Sequence, residues 1–255
     1  MTQGVYNAVK AATVAVALFH PNNPGSKNRP FTIIGSGFCI HSAGVVITCE
    51  HVYKTFIDPA AYELVLNDTN GTRHELRGAV PHVIFYIPEP IGSNFVTFPV
   101  PIENAITKTD FDLAAFKLAK HGAFRNGYPV LSIAKYESIH EMMEVATCGF
   151  PLGENLEEQI GTITSSFTRG MISSIIPAAG VDIEHLRGFQ LDLTATNGNS
   201  GGPVFSLATG EVFGVLQAGV VHPGSGHQVH GLVKAEPVYP ILANNLVDRL
   251  LKSQC

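Results

Sequence analysis

Long apolar runs, basic clusters and paired cysteines are all missing from this sequence, and each absence removes a class of protein. No stretch reaches the roughly eighteen apolar residues that a membrane span requires. The 16 Lys and Arg residues are scattered through 255 positions and the formal net charge is -5. Without a basic footprint, nucleic acid is not an expected partner. Cys39, Cys49, Cys148 and Cys255 show neither C-x-x-C metal spacing nor a disulfide framework. They read as mostly reduced thiols, and the expected location is the cytoplasm. The apolar run from Ala11 to Phe19 is preceded only by Lys10, lacks a small-x-small cleavage site and stops at His20 and Pro21. It reads as a first β-strand rather than a signal peptide. Internal repeats and low-complexity tracts are also absent.

What is present is a core-forming composition. Hydrophobic residues make up 45% of the chain and charged residues 15%, enough for one large domain or two lobes. Short runs rich in Val, Ile, Phe and Thr recur between turn signals: "TVAVALF", "FTIIGSGFCI", "GVVITC", "YELVLND", "LAAFKL", "MEVATCGF", "FQLDLTA", "EVFGVLQAGVV" and "HGLVKAEPV". This spacing predicts an all-β barrel or sandwich and disfavours a parallel α/β sheet. One helix is predicted near the end, over 240–252, where Pro240 suits a first turn and Leu242, Leu246 and Leu250 recur every four residues. Its apolar face is expected to cover the second lobe. The segment "PEPIGSNFVTFPVP" from Pro88 to Pro101 reads as a surface excursion, because proline cannot donate to a ladder. Residues 120–130 read as the connection between the halves, giving a single domain over 1–255 with lobes of about 5–120 and 128–239.

Chemistry is concentrated in "TATNGNSGGPVF", residues 194–205. Glycine carries a high entropic cost, so glycines packed around Ser200 imply a backbone that needs positive φ or close approach. Taken alone, the stretch is equally a tight hairpin with a buried hydroxyl. Two other positions change that balance. His51 follows the apolar run "GVVITC", and Asp112 precedes "LAAFKL". A serine hydroxyl is a weak nucleophile that needs a base, and the base needs an orienting carboxylate. Asp110 competes for the acid role. The pattern Asp-Leu-Ala leading into a strand favours Asp112 and leaves Asp110 as a turn residue. The order His, Asp, Ser is that of the chymotrypsin-like arrangement.

With these residues in place, "GSGFCIHSAGVVITCEHV", "FDLAAFKL", "GFPLG" and "NGNSGGPVF" followed by "GEVFGVLQAG" resemble the blocks of trypsin-like serine proteases, especially the HtrA-type protease domain. The resemblance runs from about Val9 to Val247. It implies two antiparallel six-stranded β-barrels with a short C-terminal helix, no cofactor, a protein or peptide substrate and serine endopeptidase activity. It also implies that His51 is the general base, Asp112 its orienting acid and Ser200 the nucleophile, with the amides of Gly198 and Ser200 as the oxyanion hole. Asn199 stands where digestive relatives carry an aspartate that pairs with a clipped N-terminus, so activation by clipping is not expected. A PDZ module of the HtrA kind is not expected either.

By the same resemblance, Thr194 and Ala195 lie at the base of the substrate pocket and Gln217, Ala218 and Gly219 along its wall. No aspartate stands at that base, which argues for a small or medium substrate side chain over Lys or Arg. His222, His227 and His230 are read as a hairpin rather than a metal site, since no acidic or thiolate partner is near them in sequence. His230 is the candidate for a pocket-lining histidine. Gly149, Gly153, Gly161 and Gly170 read as hinges or as ordinary turns in a gating segment. The rivals are a non-catalytic binding module on the same fold and an esterase using the same three side chains.

Overall fold

The computed structural model describes residues 2–19, 31–57, 80–88, 95–151, 163–177, 183–217, 233–242 and 246–252. Six strands close the first barrel: β1 (Thr13–Phe19), β2 (Phe31–His41), β3 (Val45–Cys49), β4 (Val80–Pro88), β5 (Phe95–Lys108) and β6 (Leu113–Leu118), in the spatial order β1-β2-β3-β6-β5-β4. The second barrel is β7 (Glu144–Gly149), β8 (Ser166–Ile176), β9 (Gly188–Asp192), β10 (Pro203–Ser206), β11 (Val212–Leu216) and β12 (Val233–Pro237). Read from β7, its order is β7-β8-β9-β12-β11-β10, the same path as the first. The all-β, two-barrel expectation therefore holds. The predicted run "YELVLND" lies outside the described residues.

Burial explains why the strands read as continuous apolar runs. Every residue of β3, β6, β10 and β11 is buried, because each closed barrel is also covered outside by its neighbour or by a helix. Phe38, Ile47, Phe85, Leu113 and Phe116 fill the first barrel, and this core continues through Cys148, Phe205 and Val215 of the second. A separate cluster around Ile172, Phe189, Leu191 and Phe213 fills the second barrel.

The structure corrects three readings. First, the segment read as a surface excursion contains the first half of β5, with Pro99 and Pro101 inside a strand. Phe95–Pro101 pairs with β4, whereas pairing with β6 runs from Ile102 to Lys108. The prolines thus occupy the half of β5 that is laddered on one side, where a missing N–H is tolerated.

Second, helices are not confined to the C-terminus. Helix α1 (Gln3–Ala12) precedes β1, capped by the Thr2 side chain, and buries Val9 and Ala12. Helix α2 (Glu50–Ile57) follows β3 directly.

Third, of the C-terminal segments α3 (Tyr239–Leu242) and α4 (Leu246–Lys252), α4 packs on the first barrel, against β5 and β6, with Leu250 in the first core, whereas α3 touches both: Ile241 joins the first core, and Tyr239 and Leu242 line a cavity with Phe189 and Phe213 of the second. Helix α1 packs on β1, β2 and β4 of the first barrel and also reaches the second. Its Tyr6 ring stacks 4.8 Å from Phe167, and Lys10 Nζ donates to Thr164 Oγ1 at 3.2 Å. Helix α1 thereby joins the two barrels, and α4 returns the chain from the second barrel to the first.

The segment 120–130, read as the connection between the halves, lies within the interlobe connection. That connection spans the chain from the end of β6 to the start of β7, and its first part belongs to the first barrel. Tyr128 stacks on Phe85 at 5.4 Å and donates its hydroxyl to Ala119 O.

Candidate active site

Strand pairing brings His51 and Asp112 together. Cys49, the last residue of β3, pairs with Leu113, the first of β6, so the residues just beyond that pair meet at one barrel end. Asp112 has left-handed backbone angles, φ 48° and ψ 41°, a region that Asp tolerates better than most residues. Its N–H donates to Thr109 O at 3.1 Å and its carbonyl accepts from Glu50 N at 2.9 Å. That places the carboxylate over the first turn of α2, where free N–H groups and the helix dipole favour negative charge. Asp110 sits on the exposed turn Thr109–Phe111 just before it. The Arg187 guanidinium lies 5.3 Å from the Phe111 ring and ties this turn to the second barrel.

The carboxylate of Asp112 has three donors. His51 Nδ1 meets Oδ2 at 2.7 Å, His51 backbone N–H donates to Oδ1 at 2.9 Å, and the Gln217 side-chain amide donates to Oδ2 at 2.9 Å. Burial alone would raise this carboxyl. The His51 ring, its charge and its backbone N–H, with the Gln217 amide, outweigh burial and hold it below the ordinary aspartate value. The sequence reading placed Gln217 in a pocket wall and gave no sign of this contact with Asp112. Gln217 directly follows the last residue of β11, and its side chain is turned toward the first barrel.

Ser200 arrives from the second barrel. Turn Thr196–Asn199 closes with Asn199 N donating to Thr196 O at 3.1 Å, and Gly198 and Gly201 adopt φ values of 93° and 89°. A side chain at Gly201 would collide with the Ser36 carbonyl at 2.1 Å and Thr48 Oγ1 at 2.2 Å, so the glycine allows two backbones to touch. One carbonyl links the two halves of the site: Leu216 O accepts from Gly201 N at 2.8 Å and from Cys49 Sγ at 3.2 Å. The residue after Ser200 and the residue two before His51 are thus anchored on the same atom. Gly35 also lies between them, since a Cβ there would stand 2.8 Å from Val52 and 3.2 Å from Ser200 O. Ser200 is 6% exposed and the His51 side chain 47%.

Cys49, His51 and Asp112 bring a thiol, a ring nitrogen and a carboxylate within 4.8 Å of one another, a set that could hold a metal ion. Each donor is already engaged, however. The Cys49 thiol donates to Leu216 O, and burial, with Asp112 nearby, pushes it well above its ordinary value, while His51 Nδ1 faces Asp112. Cys39 and Cys148 are likewise buried and unpaired, the Cys39 thiol pushed up to about 12 by burial. Cys255 lies outside the described residues, as do Ala218, Gly219, His222, His227 and His230. Of the predicted pocket base, Thr194 is exposed and Ala195 buried.

The glycines read as hinges or as ordinary turns stand in close-packed positions where they are described. A Cβ at Gly170, inside β8, would stand 1.7 Å from Asp192 O, and one at Gly149 2.8 Å from Asn199 Oδ1. Both are demanded by close packing. Gly153 and Gly161 lie outside the described residues.

Known proteins place this arrangement in a family. Residues 35–215 match the family model for the trypsin-like peptidase domain. A probable periplasmic serine endoprotease, DegP-like, from Brucella suis biovar 1 (strain 1330) is 29% identical over 240 residues, covering 91% of this chain and 36% of the relative. A DegP-like protein of the same description from Ectopseudomonas mendocina (strain ymp) is 25% identical over 198 residues, covering 76% of this chain and 31% of the relative. The mitochondrial serine protease HTRA2 of Drosophila willistoni is 28% identical over 184 residues, covering 71% and 32%. The chain spans about a third of the length of these curated relatives. With the two barrels, the paired His51 and Asp112 and the family match over most of its length, the chain belongs to the trypsin-like peptidase domain family.

Proposed function

We propose that this chain is a serine endopeptidase in which Ser200 is the nucleophile, His51 the general base and Asp112 the residue that orients the base. The observation that carries this reading is the 2.7 Å bond between His51 Nδ1 and Asp112 Oδ2. It commits the Nδ1 proton to the carboxylate and leaves Nε2 as the basic nitrogen. In the proposed reaction, Ser200 Oγ attacks the scissile carbonyl while Nε2 takes its proton. The imidazolium, stabilised by Asp112, then protonates the leaving amine. Water enters by the same route in reverse and releases the acyl group. The Gly198 and Ser200 amides are the proposed donors to the oxyanion; loss of one such donor costs about a hundredfold to a thousandfold in rate.

Gln217 supports the same assignment as a third donor to Asp112. The substrate is proposed to present a small or medium side chain, since Thr194 and Ala195 offer no counter-charge for Lys or Arg. The test is turnover of a peptide library by the wild-type chain and by Ser200→Ala. The expected result is hydrolysis by the wild type alone, with equal thermal stability of the two proteins. Undiminished hydrolysis by Ser200→Ala would overturn the assignment.

A further inference from the structure

Ser36, in the middle of β2, has a partner for every polar atom, and two of these contacts hold the turn that carries Ser200. Its backbone N–H donates to Ser200 O at 2.8 Å, and its carbonyl accepts from Thr48 Oγ1 at 2.7 Å. Its hydroxyl meets Gly198 O at 2.6 Å and Phe150 N at 2.9 Å. The residue is completely buried. We propose that Ser36 is a positioning residue for the oxyanion hole: its side chain in the first barrel fixes the Gly198 peptide in the second.

The direction of the hydroxyl is set by its neighbours. Phe150 N–H can only donate, so it occupies a lone pair of Ser36 Oγ, and the single hydroxyl proton is left for Gly198 O, which can only accept. Gly198 has φ 93°, and without a Cβ this residue rotates at little steric cost. A turn built on such a glycine needs an outside contact to keep its N–H aimed at one point, and the Ser36 hydroxyl supplies one at the Gly198 carbonyl. The same hydroxyl ties in the end of β7, where Gly149 has no room for a side chain because Ser36 Oγ and Asn199 Oδ1 would stand 2.9 Å and 2.8 Å from its Cβ. One buried hydroxyl thus joins the first barrel, the nucleophile turn and the segment after β7. Ser36 does not touch reacting atoms in this scheme; it acts through Gly198.

This inference rests on the serine endopeptidase reading, and its test separates the two. Ser36→Ala removes the hydroxyl, and Ser36→Cys keeps its approximate size with a weaker donor. Three quantities are measured: kcat and KM on a cleaved peptide, the pH profile of kcat/KM, and amide hydrogen exchange across residues 194–205. In Ser36→Ala, kcat is expected to fall by about tenfold to a hundredfold while KM changes by less than about threefold. The apparent pKa of the profile is expected to stay, because the His51–Asp112 pair is untouched. Exchange at 194–205 is expected to rise by about tenfold or more against unchanged barrel strands, and Ser36→Cys to move the same way by a smaller amount. The proposal is overturned if kcat and local exchange match the wild type in Ser36→Ala, or if exchange rises equally over both barrels in Ser36→Ala while Ser36→Cys behaves as wild type. Should the wild type cleave no peptide, the endopeptidase reading fails, and the exchange comparison still decides whether Ser36 holds the turn.

Discussion

His51 grips Asp112 at both carboxylate oxygens, through its ring at 2.7 Å and through its own backbone N–H at 2.9 Å. The second contact makes the base part of the frame that holds its acid. The helix that carries His51 starts on the Asp112 carboxylate and carbonyl, so misplacing either residue disturbs the other.

Replacing Asp112 by asparagine tests this directly. An amide of the same shape can offer an N–H to Nδ1 and so favour the tautomer whose Nε2 carries the proton. The expected loss in kcat is about four orders of magnitude, with a folded protein, measured by steady-state hydrolysis of a peptide ester. A loss below about tenfold would show that tautomer control by this residue is unimportant here.

The same pair makes stability depend on pH. Because folding lowers the Asp112 pKa, its contribution is fully present above the ordinary aspartate value of about 3.9 and is lost as pH falls through the lower, folded value. Thermal unfolding followed from neutral pH to below that range should show the wild type losing its advantage over Asp112→Asn on the acid side. An advantage that grew on acidification would contradict the sign.

Gln217 offers a separation of roles. If its amide serves Asp112, Gln217→Leu removes one donor, lets the carboxyl rise toward its ordinary value and lowers kcat by about tenfold, with cleavage preference unchanged. A pocket-wall residue would instead shift preference among substrates at constant kcat. Profiling the variant on a library with varied residues at the cleavage site distinguishes the two.

Gly170→Ala is expected to destabilise the fold by roughly 3–5 kcal/mol, because the new Cβ would sit 1.7 Å from the Asp192 carbonyl between paired strands β8 and β9. Chemical unfolding measures it. A hinge glycine would leave stability nearly unchanged and alter turnover instead.

Much of this was legible in the sequence. Short apolar runs gave the strands, because barrel strands covered on both sides carry apolar residues at successive positions, as in "LAAFKL". Proline misled at Pro99 and Pro101, since a single-sided ladder is a property of strand order and not of the segment itself. Helix α2 leaves no clear signal in the sequence because "EHVYKTFI" is short, and its start is fixed by a carboxylate sixty-one positions away. The two barrels share one path without a repeat in sequence, because what repeats is the pairing order and not the side chains. Ser36 stood in plain view in "GSGFCI", but a serine in a strand gives no sign of partners at Phe150 and Gly198. Gln217 is similar: nothing in "GVLQAG" indicates that its amide crosses to the other lobe.

The most direct measurement of the central claim is labelling with a fluorophosphonate probe, with the modified residue located by mass spectrometry, in the wild type, Ser200→Ala and His51→Ala. The account predicts one adduct, on Ser200, in the wild type, and none in either variant. An adduct on another residue, or equal labelling of folded Ser200→Ala, would contradict it.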